Sequence, residues 1–294
     1  MSLTSELANP RSPVRRFIDA RFTSLDWAQQ DIRSLFLGTE TLPPSTSTHP
    51  NVLGTAIDLR ICFYFQPVRI EHRVYRGIRQ LVRILGPGSI LTTPFAQLHR
   101  QFRALETVGR VLDNDTEEWV CRFCLVSALF ESVMRRLAVD PLLRTVDWHA
   151  VTGDGLLAIV PQAWVDDVRA QSGLFAERCS DLFGQSTTIN PDFRGGISVF
   201  GADADLIIGG RLFEIKATKN PRFDRQWLYQ LIGYLLLDTD DEHGITGLGL
   251  YFPRRGRRIE WTVTDVLTQS GAFDHGTLPF LRRAFGETSA SRSD

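Results

Sequence analysis

The stretch that decides the fold is GADADLIIGGRLFEIKATKN, residues 201–220. It places two short apolar runs on either side of a Gly-Gly pair, which is typical of a β-hairpin with a two-residue turn. If this pair, residues 209–210, forms the turn, Ile208 pairs with Arg211. The stretch therefore predicts two antiparallel strands with a defined register.

Four charged side chains lie on one face of this predicted hairpin. In the register set by the turn, Asp205 lies opposite Glu214. Asp203 lies opposite Lys216 in the same way. Because side chains alternate between the two faces of a strand, all four share one face, and the other face is mainly apolar. The hairpin therefore concentrates three carboxylates and one ammonium on one side.

Carboxylates that face each other across a sheet repel, so this charged face needs a compensating partner. A divalent cation with a few bound waters is the simplest candidate, because carboxylate oxygens suit Mg²⁺ or Mn²⁺. Lysine is also rare here: the chain has 33 basic residues, and only Lys216 and Lys219 are lysines. The alternative is a surface hairpin with solvated charges, in which Lys216 pairs with Asp203.

The segment FDRQWLYQLIGYLLLD, residues 223–238, predicts a helix directly after the hairpin. Gln226, Gln230 and Tyr234 recur every four residues, which places them on one stripe of that helix. Leucine and isoleucine cover its other faces, which we expect to be core. The polar stripe either borders the charged face of the hairpin or faces solvent.

An ordered set of residues in this region is similar to a known enzyme family. The set consists of Asp205, Glu214, Ile215, Lys216, Gln230 and Tyr234. Asp followed by Glu-Ile-Lys resembles the core motif of the PD-(D/E)xK nuclease superfamily. Gln-x-x-x-Tyr on the following helix is similar to the QxxxY motif of its RecB-like branch. The resemblance covers about residues 186–260 and leaves the N-terminal half unexplained.

The resemblance implies a metal centre at the charged face. Asp205 and Glu214 are then the ligands of Mg²⁺ or Mn²⁺, together with the backbone carbonyl of Ile215. Lys216 is expected to position or activate the attacking water and to stabilise charge on the phosphate. Asp203 is a further candidate residue of the metal centre, either near the first ion without binding it directly or as a ligand of a second ion.

The family motifs also suggest supporting residues. Gln230 and Tyr234 are expected to support the lysine and the substrate backbone. RecB-like nucleases often carry an upstream GTxxH motif whose histidine reaches the metal, and GTAID at residues 54–58 places Asp58 at that position. Asp58 is therefore either another metal ligand or an exposed or capping aspartate.

The resemblance implies a metal-dependent nuclease that hydrolyses phosphodiester bonds of nucleic acid, with DNA as the expected substrate. Restriction, repair or defence against foreign DNA are the roles we expect by analogy. One alternative is a non-catalytic nuclease-like protein that binds nucleic acid or acts as a scaffold in a larger complex. Another is an interaction protein in which the hairpin pattern is a coincidence.

Arginines near the predicted core are candidates for contacts with phosphate. PRRGRR, residues 253–258, follows a predicted strand, and a solvated hairpin tip is the alternative interpretation. The predicted nucleic-acid-binding residues are Arg254, Arg255, Arg257, Arg258, Arg222, Arg225 and Gln226.

The remaining pattern predicts an α/β (α+β) protein with a restriction-endonuclease-like mixed sheet of order α-β-β-β-α-β and a large helical N-terminal portion. The predicted regions are a helix and Pro/Ser/Thr loop (1–50), a mainly helical region (51–185), the nuclease-like core (186–285) and a flexible tail (286–294). We expect the helical region to clamp substrate, bind a partner protein or mediate homo-oligomerisation.

Composition limits the other function classes. The chain has 294 residues, 43% of them hydrophobic, and a net charge of −1, so no global positive field attracts nucleic acid. No apolar run approaches the roughly 20 residues of a membrane helix, and no signal peptide is evident, so we expect a cytoplasmic protein without membrane contact. CRFC at residues 121–124 is a CxxC pair, but no cysteine follows Cys179, so we expect no iron–sulfur cluster.

Overall fold

A computed structural model describes residues 2–46, 49–66, 71–86, 92–136, 138–193, 204–220 and 222–290. The chain forms two compact units. Unit 1 comprises Met1–Glu40, Gln185–Phe252 and Arg257–Asp294, and unit 2 comprises Thr41–Gly184 and Pro253–Gly256. Residues 1–40 therefore belong with the α/β core, whereas the sequence pattern placed residues 1–50 in a region of their own.

The described residues contain thirteen α-helices. In chain order they are α1 (Leu3–Ala8), α2 (Pro13–Arg21), α3 (Asp26–Phe36), α4 (Pro50–Cys62), α5 (Glu71–Leu85), α6 (Thr92–Arg103), α7 (Asn114–Arg136), α8 (Pro141–Arg144), α9 (Gly153–Ala158), α10 (Gln162–Arg178), α11 (Arg225–Leu237), α12 (Val263–Gln269) and α13 (Leu278–Ala290). None of the helices in these ranges is long and apolar enough to cross a membrane.

The described part of unit 1 is built on a mixed five-stranded sheet. Its strands are β1 (Thr187–Ile189), β2 (Leu206–Ile208), β3 (Arg211–Ile215), β4 (Gly247–Phe252) and β5 (Arg257–Thr262). They lie side by side in chain order, with β3 and β4 parallel and the other neighbours antiparallel. The predicted mixed α/β character of this region is confirmed.

The hairpin of β2 and β3 has the predicted register. Ile208 pairs with Arg211 and Leu206 pairs with Phe213. The turn residues Gly209 and Gly210 have φ values of +53° and +77°, which glycine adopts without strain. A two-residue turn with both φ values positive matches the right-handed twist of the strands it joins.

Helix α11 connects the parallel strands β3 and β4 and forms the centre of the unit 1 core. Every residue from Trp227 to Leu237 is buried, because α1, α2 and α13 cover the faces of the helix that the sheet does not. Helix α1 approaches closely at Gly233, where a β-carbon would lie 3.0 Å from Leu3 Cδ2. The N-terminal helices are thus part of the same core as the sheet.

Unit 2 is helical and contains α4 to α10. Helices α5 and α7 pack against each other, and Gly77 of α5 lies directly against the backbone carbonyl of Phe130 in α7. The GTAID segment, residues 54–58, lies in α4. Cys121 and Cys124 are both buried free thiols within α7.

Candidate functional site

Asp205 lies immediately before β2, at the charged edge of the hairpin. Its Oδ2 atom accepts a hydrogen bond of 2.7 Å from the backbone N–H of Ile215. Its backbone carbonyl accepts another of 3.0 Å from the N–H of Asn190. These two contacts hold the Asp205 carboxylate next to the peptide group that follows Glu214.

Glu214 and Lys216 lie on the same face at the end of β3. The backbone N–H of Lys216 donates to the carbonyl of Tyr251 at 2.8 Å, which continues the parallel pairing with β4 beyond Ile215. Lys216 Nζ donates to Glu214 Oε1 at 2.7 Å. The Glu214 side chain is 8% exposed and that of Lys216 16%, so the ion pair is largely shielded from water.

Gln230 reaches the same ion pair from helix α11. Its Oε1 atom accepts a hydrogen bond of 2.8 Å from Lys216 Nζ. Its Nε2 atom donates to Thr4 Oγ1 at 3.1 Å. Lys216 is therefore held between a strand residue and a helix residue, and Thr4 of α1 contacts the second of these. The sequence pattern contained no signal for Thr4.

The three polar residues of the α11 stripe have different surroundings. Gln226 is half-buried, and its Nε2 donates to the carbonyl of Leu7 at 3.4 Å. Tyr234 is buried and stacks on Phe193, with ring centroids 5.8 Å apart. Its predicted contact with the lysine or the substrate stays a prediction. Among the described contacts, Gln230 is the stripe residue that binds Lys216 directly.

Metal binding by the two further candidate ligands, Asp203 and Asp58, stays a prediction. Asp203 lies outside the described residues. Asp58 lies in helix α4, which belongs to unit 2, whereas Asp205 and Glu214 belong to unit 1.

Two of the four arginines that were predicted to contact phosphate in residues 253–258 are buried. Arg254 and Arg255 are buried, at 3% and 6% exposure, because they lie in a short turn that packs within unit 2. Arg254 forms a two-pronged ion pair with Asp167, at 2.9 and 3.0 Å. This burial does not favour the predicted phosphate contacts of Arg254 and Arg255, which stay predictions.

The other predicted contact residues are accessible to different degrees. Arg257 is exposed and Arg258 is half-buried, with its Nε 2.7 Å from Glu260 Oε1. Arg222 and Arg225 are exposed near the start of α11, and Arg225 pairs with Asp26 at 2.8 Å. Phosphate binding by these four arginines stays a prediction.

The oxygen atoms of Asp205, Glu214 and Ile215 are the kind of ligand that suits the divalent cation implied by the family resemblance. Glu214 Oε2 is buried, and no residue in the described ranges hydrogen-bonds to it, so this oxygen is suited to a cation. The described residues hold no group of three or more His, Cys, Asp or Glu placed to bind a metal. Mg²⁺ is commonly held by one or two carboxylates plus waters and substrate phosphates. Asp205, Glu214 and the Ile215 carbonyl match that requirement.

Unit 2 contains a second buried polar cluster that the sequence analysis missed. Arg60 is fully buried and donates to Glu117 at 2.9 and 2.6 Å. Burial opposes ionisation of Glu117, but the hydrogen bond and charge of Arg60 dominate and lower the pKa of that carboxyl. Burial raises the pKa of Tyr64, which lies under the Arg60 guanidinium, to about 12.

This second cluster borders a cavity of about 380 Å³. Glu117, Tyr64 and Ser172 line it, and Ser172 Oγ donates to Glu117 Oε1 at 2.9 Å. Arg60 and Glu117 come from different helices, and no motif in the sequence relates them. Only the packing of α4 against α7 brings this pair together.

Comparisons of the chain with protein-family models, with curated proteins and with solved structures found no match.

Proposed function

We propose that this chain is a divalent-metal-dependent nuclease with a restriction-endonuclease-like core, and that DNA is its substrate. The observation that supports this most is the position of Lys216 Nζ, 2.7 Å from Glu214 Oε1 and 2.8 Å from Gln230 Oε1. The strand, the hairpin and the helix thus converge on one ammonium group. An isolated surface hairpin would not need a helix residue to hold its lysine.

In the proposed reaction, Lys216 donates hydrogen bonds to the attacking water or to an oxygen of the scissile phosphate. Its positive charge stabilises the negative charge that builds up on the phosphate oxygens in the transition state. Glu214 and Gln230 restrict the otherwise flexible lysine side chain, so that less ordering is required when substrate binds. A cation held by Asp205, Glu214 and the Ile215 carbonyl would supply Lewis-acid polarisation of the phosphate and of the water.

The test is cleavage of single- and double-stranded DNA and RNA with Mg²⁺ or Mn²⁺, with EDTA as the metal-free control. We expect the wild type to cleave DNA, and Lys216→Met to lower kcat about 100- to 1,000-fold because it removes one charge that stabilises the transition state. Lys219→Met is the matched control, since Lys219 is the other lysine and is exposed.

Two results would contradict the proposal. If Lys216→Met cleaves as fast as the wild type, Lys216 has no catalytic role. If the wild type cleaves none of the four substrates in either metal but still binds DNA, the non-catalytic nuclease-like binding protein is the better description.

A further inference from the structure

Helix α1 contributes a side chain to the hydrogen-bond chain that ends on Lys216. Thr4 Oγ1 accepts from Gln230 Nε2 at 3.1 Å, and Gln230 Oε1 accepts from Lys216 Nζ at 2.8 Å. We propose that Thr4 is a positioning residue for Lys216 and acts through the side-chain amide of Gln230. Its catalytic importance rests on the proposed nuclease function, whereas the hydrogen-bond chain itself does not.

The ammonium group of Lys216 determines which end of the Gln230 amide faces it, and Thr4 contacts the other end. An ammonium group only donates hydrogen bonds, so Gln230 must present its oxygen, and not its NH₂ group, to Lys216. The two ends of an amide have nearly the same shape, and rotation by half a turn would place two donors against each other. Thr4 Oγ1 gives Nε2 a hydrogen-bond partner on the far side of the amide, and this second anchor holds the Gln230 side chain in place while Oε1 accepts from Nζ.

The packing of α1 gives Thr4 a defined position. Leu3 and Leu7 flank Thr4 in sequence and are 1% and 0% exposed. Both contact the site of Gly233, where a β-carbon would lie 3.0 Å from Leu3 and 3.4 Å from Leu7. The absence of a side chain at residue 233 thus brings α1 close enough for Thr4 to reach Gln230, one helical turn earlier on α11.

Thr4 itself is exposed, so replacing its hydroxyl should change the stability of the fold by little. Thr4→Val keeps the shape of the side chain and removes the acceptor, while Thr4→Ser keeps the hydroxyl. We expect Thr4→Val to lower kcat for nucleic-acid cleavage about tenfold with little change in KM, because the substrate-binding surface is untouched. Thr4→Ser should keep most of the wild-type kcat.

The lysine content of the chain supplies a readout that does not depend on cleavage. With only Lys216 and Lys219 present, protein labelled with ¹³C in its lysine side chains gives two lysine Cε signals in NMR. Lys219→Arg assigns them. We expect Thr4→Val to move the Lys216 signal and to leave that of Lys219 in place, and Thr4→Ser to restore it.

Ser5→Ala is the control for loss of a hydroxyl on the same helix, since Ser5 Oγ bonds to the Ser2 hydroxyl at 2.9 Å. It should move neither signal. An unchanged Lys216 signal in Thr4→Val would overturn the hydrogen-bond chain. A shifted signal with wild-type kcat would overturn the positioning role. A shifted signal in a protein that cleaves nothing even as wild type would instead overturn the nuclease function.

Discussion

Replacing Arg254 by methionine should destabilise the protein, whereas replacing Arg257 should not. Arg254 and Asp167 are 3% and 7% exposed and are joined by hydrogen bonds of 2.9 and 3.0 Å. Methionine leaves the Asp167 carboxylate buried without its cation, and breaking a buried ion pair in this way costs about 3–5 kcal/mol. Ser45 and Gln171 still donate to Asp167, so we expect the lower end, about 3 kcal/mol.

A loss of about 3 kcal/mol corresponds to a fall in Tm of roughly 6–12 °C for a domain of 150–250 residues. Thermal and urea unfolding followed by circular dichroism measure it. Arg257→Met is the matched control, because Arg257 is exposed and such substitutions usually change stability by less than about 0.5 kcal/mol. The reasoning is refuted if Arg254→Met is as stable as Arg257→Met. Weaker DNA binding in that stable variant would support the phosphate-contact role that the sequence predicted for Arg254.

Two further predictions concern unit 2. Gly77→Ala should lower the free energy of unfolding by about 3 kcal/mol or more, because a β-carbon at this position would overlap the Phe130 carbonyl. Gly173→Ala should instead stabilise α10 by about 1 kcal/mol, since no described atom lies within 4 Å of a β-carbon placed there. Urea unfolding compares the two variants, and equal effects would contradict the packing of α5 on α7. Burial raises the pKa of Tyr64 from 10.0 to about 12, so this residue contributes stability that is complete below pH 10 and is lost as the pH rises towards 12. In the wild type this loss amounts to about 1.4 kcal/mol by pH 11, and Tyr64→Phe should lack it. The urea midpoints of both proteins at pH 9 and pH 11 measure the difference. An equal fall in the wild type and in Tyr64→Phe would show that Tyr64 is not the group responsible.

The register of the hairpin could be predicted because it depends on local chemistry alone. Two glycines that accept positive φ define the turn, and the period of two then determines that Glu214 and Lys216 share a face. The helix after the hairpin could be predicted for the same reason, since its apolar residues recur with helical spacing. Gln230 was also found from spacing, although its contact with Lys216 is a property of the folded chain.

The contacts between distant segments were not predictable in this way. Thr4 lies in a short helix far from Gln230 in sequence, and the two meet only because Gly233 lets α1 pack closely on α11. Arg254 looked like a surface residue because nothing local reveals its partner Asp167. The sequence by itself thus determined the hairpin, its register and the helix that follows, since each depends on neighbours along the chain. The tertiary structure decided which side chains are buried and which are paired, because burial depends on segments that meet only after the chain has folded.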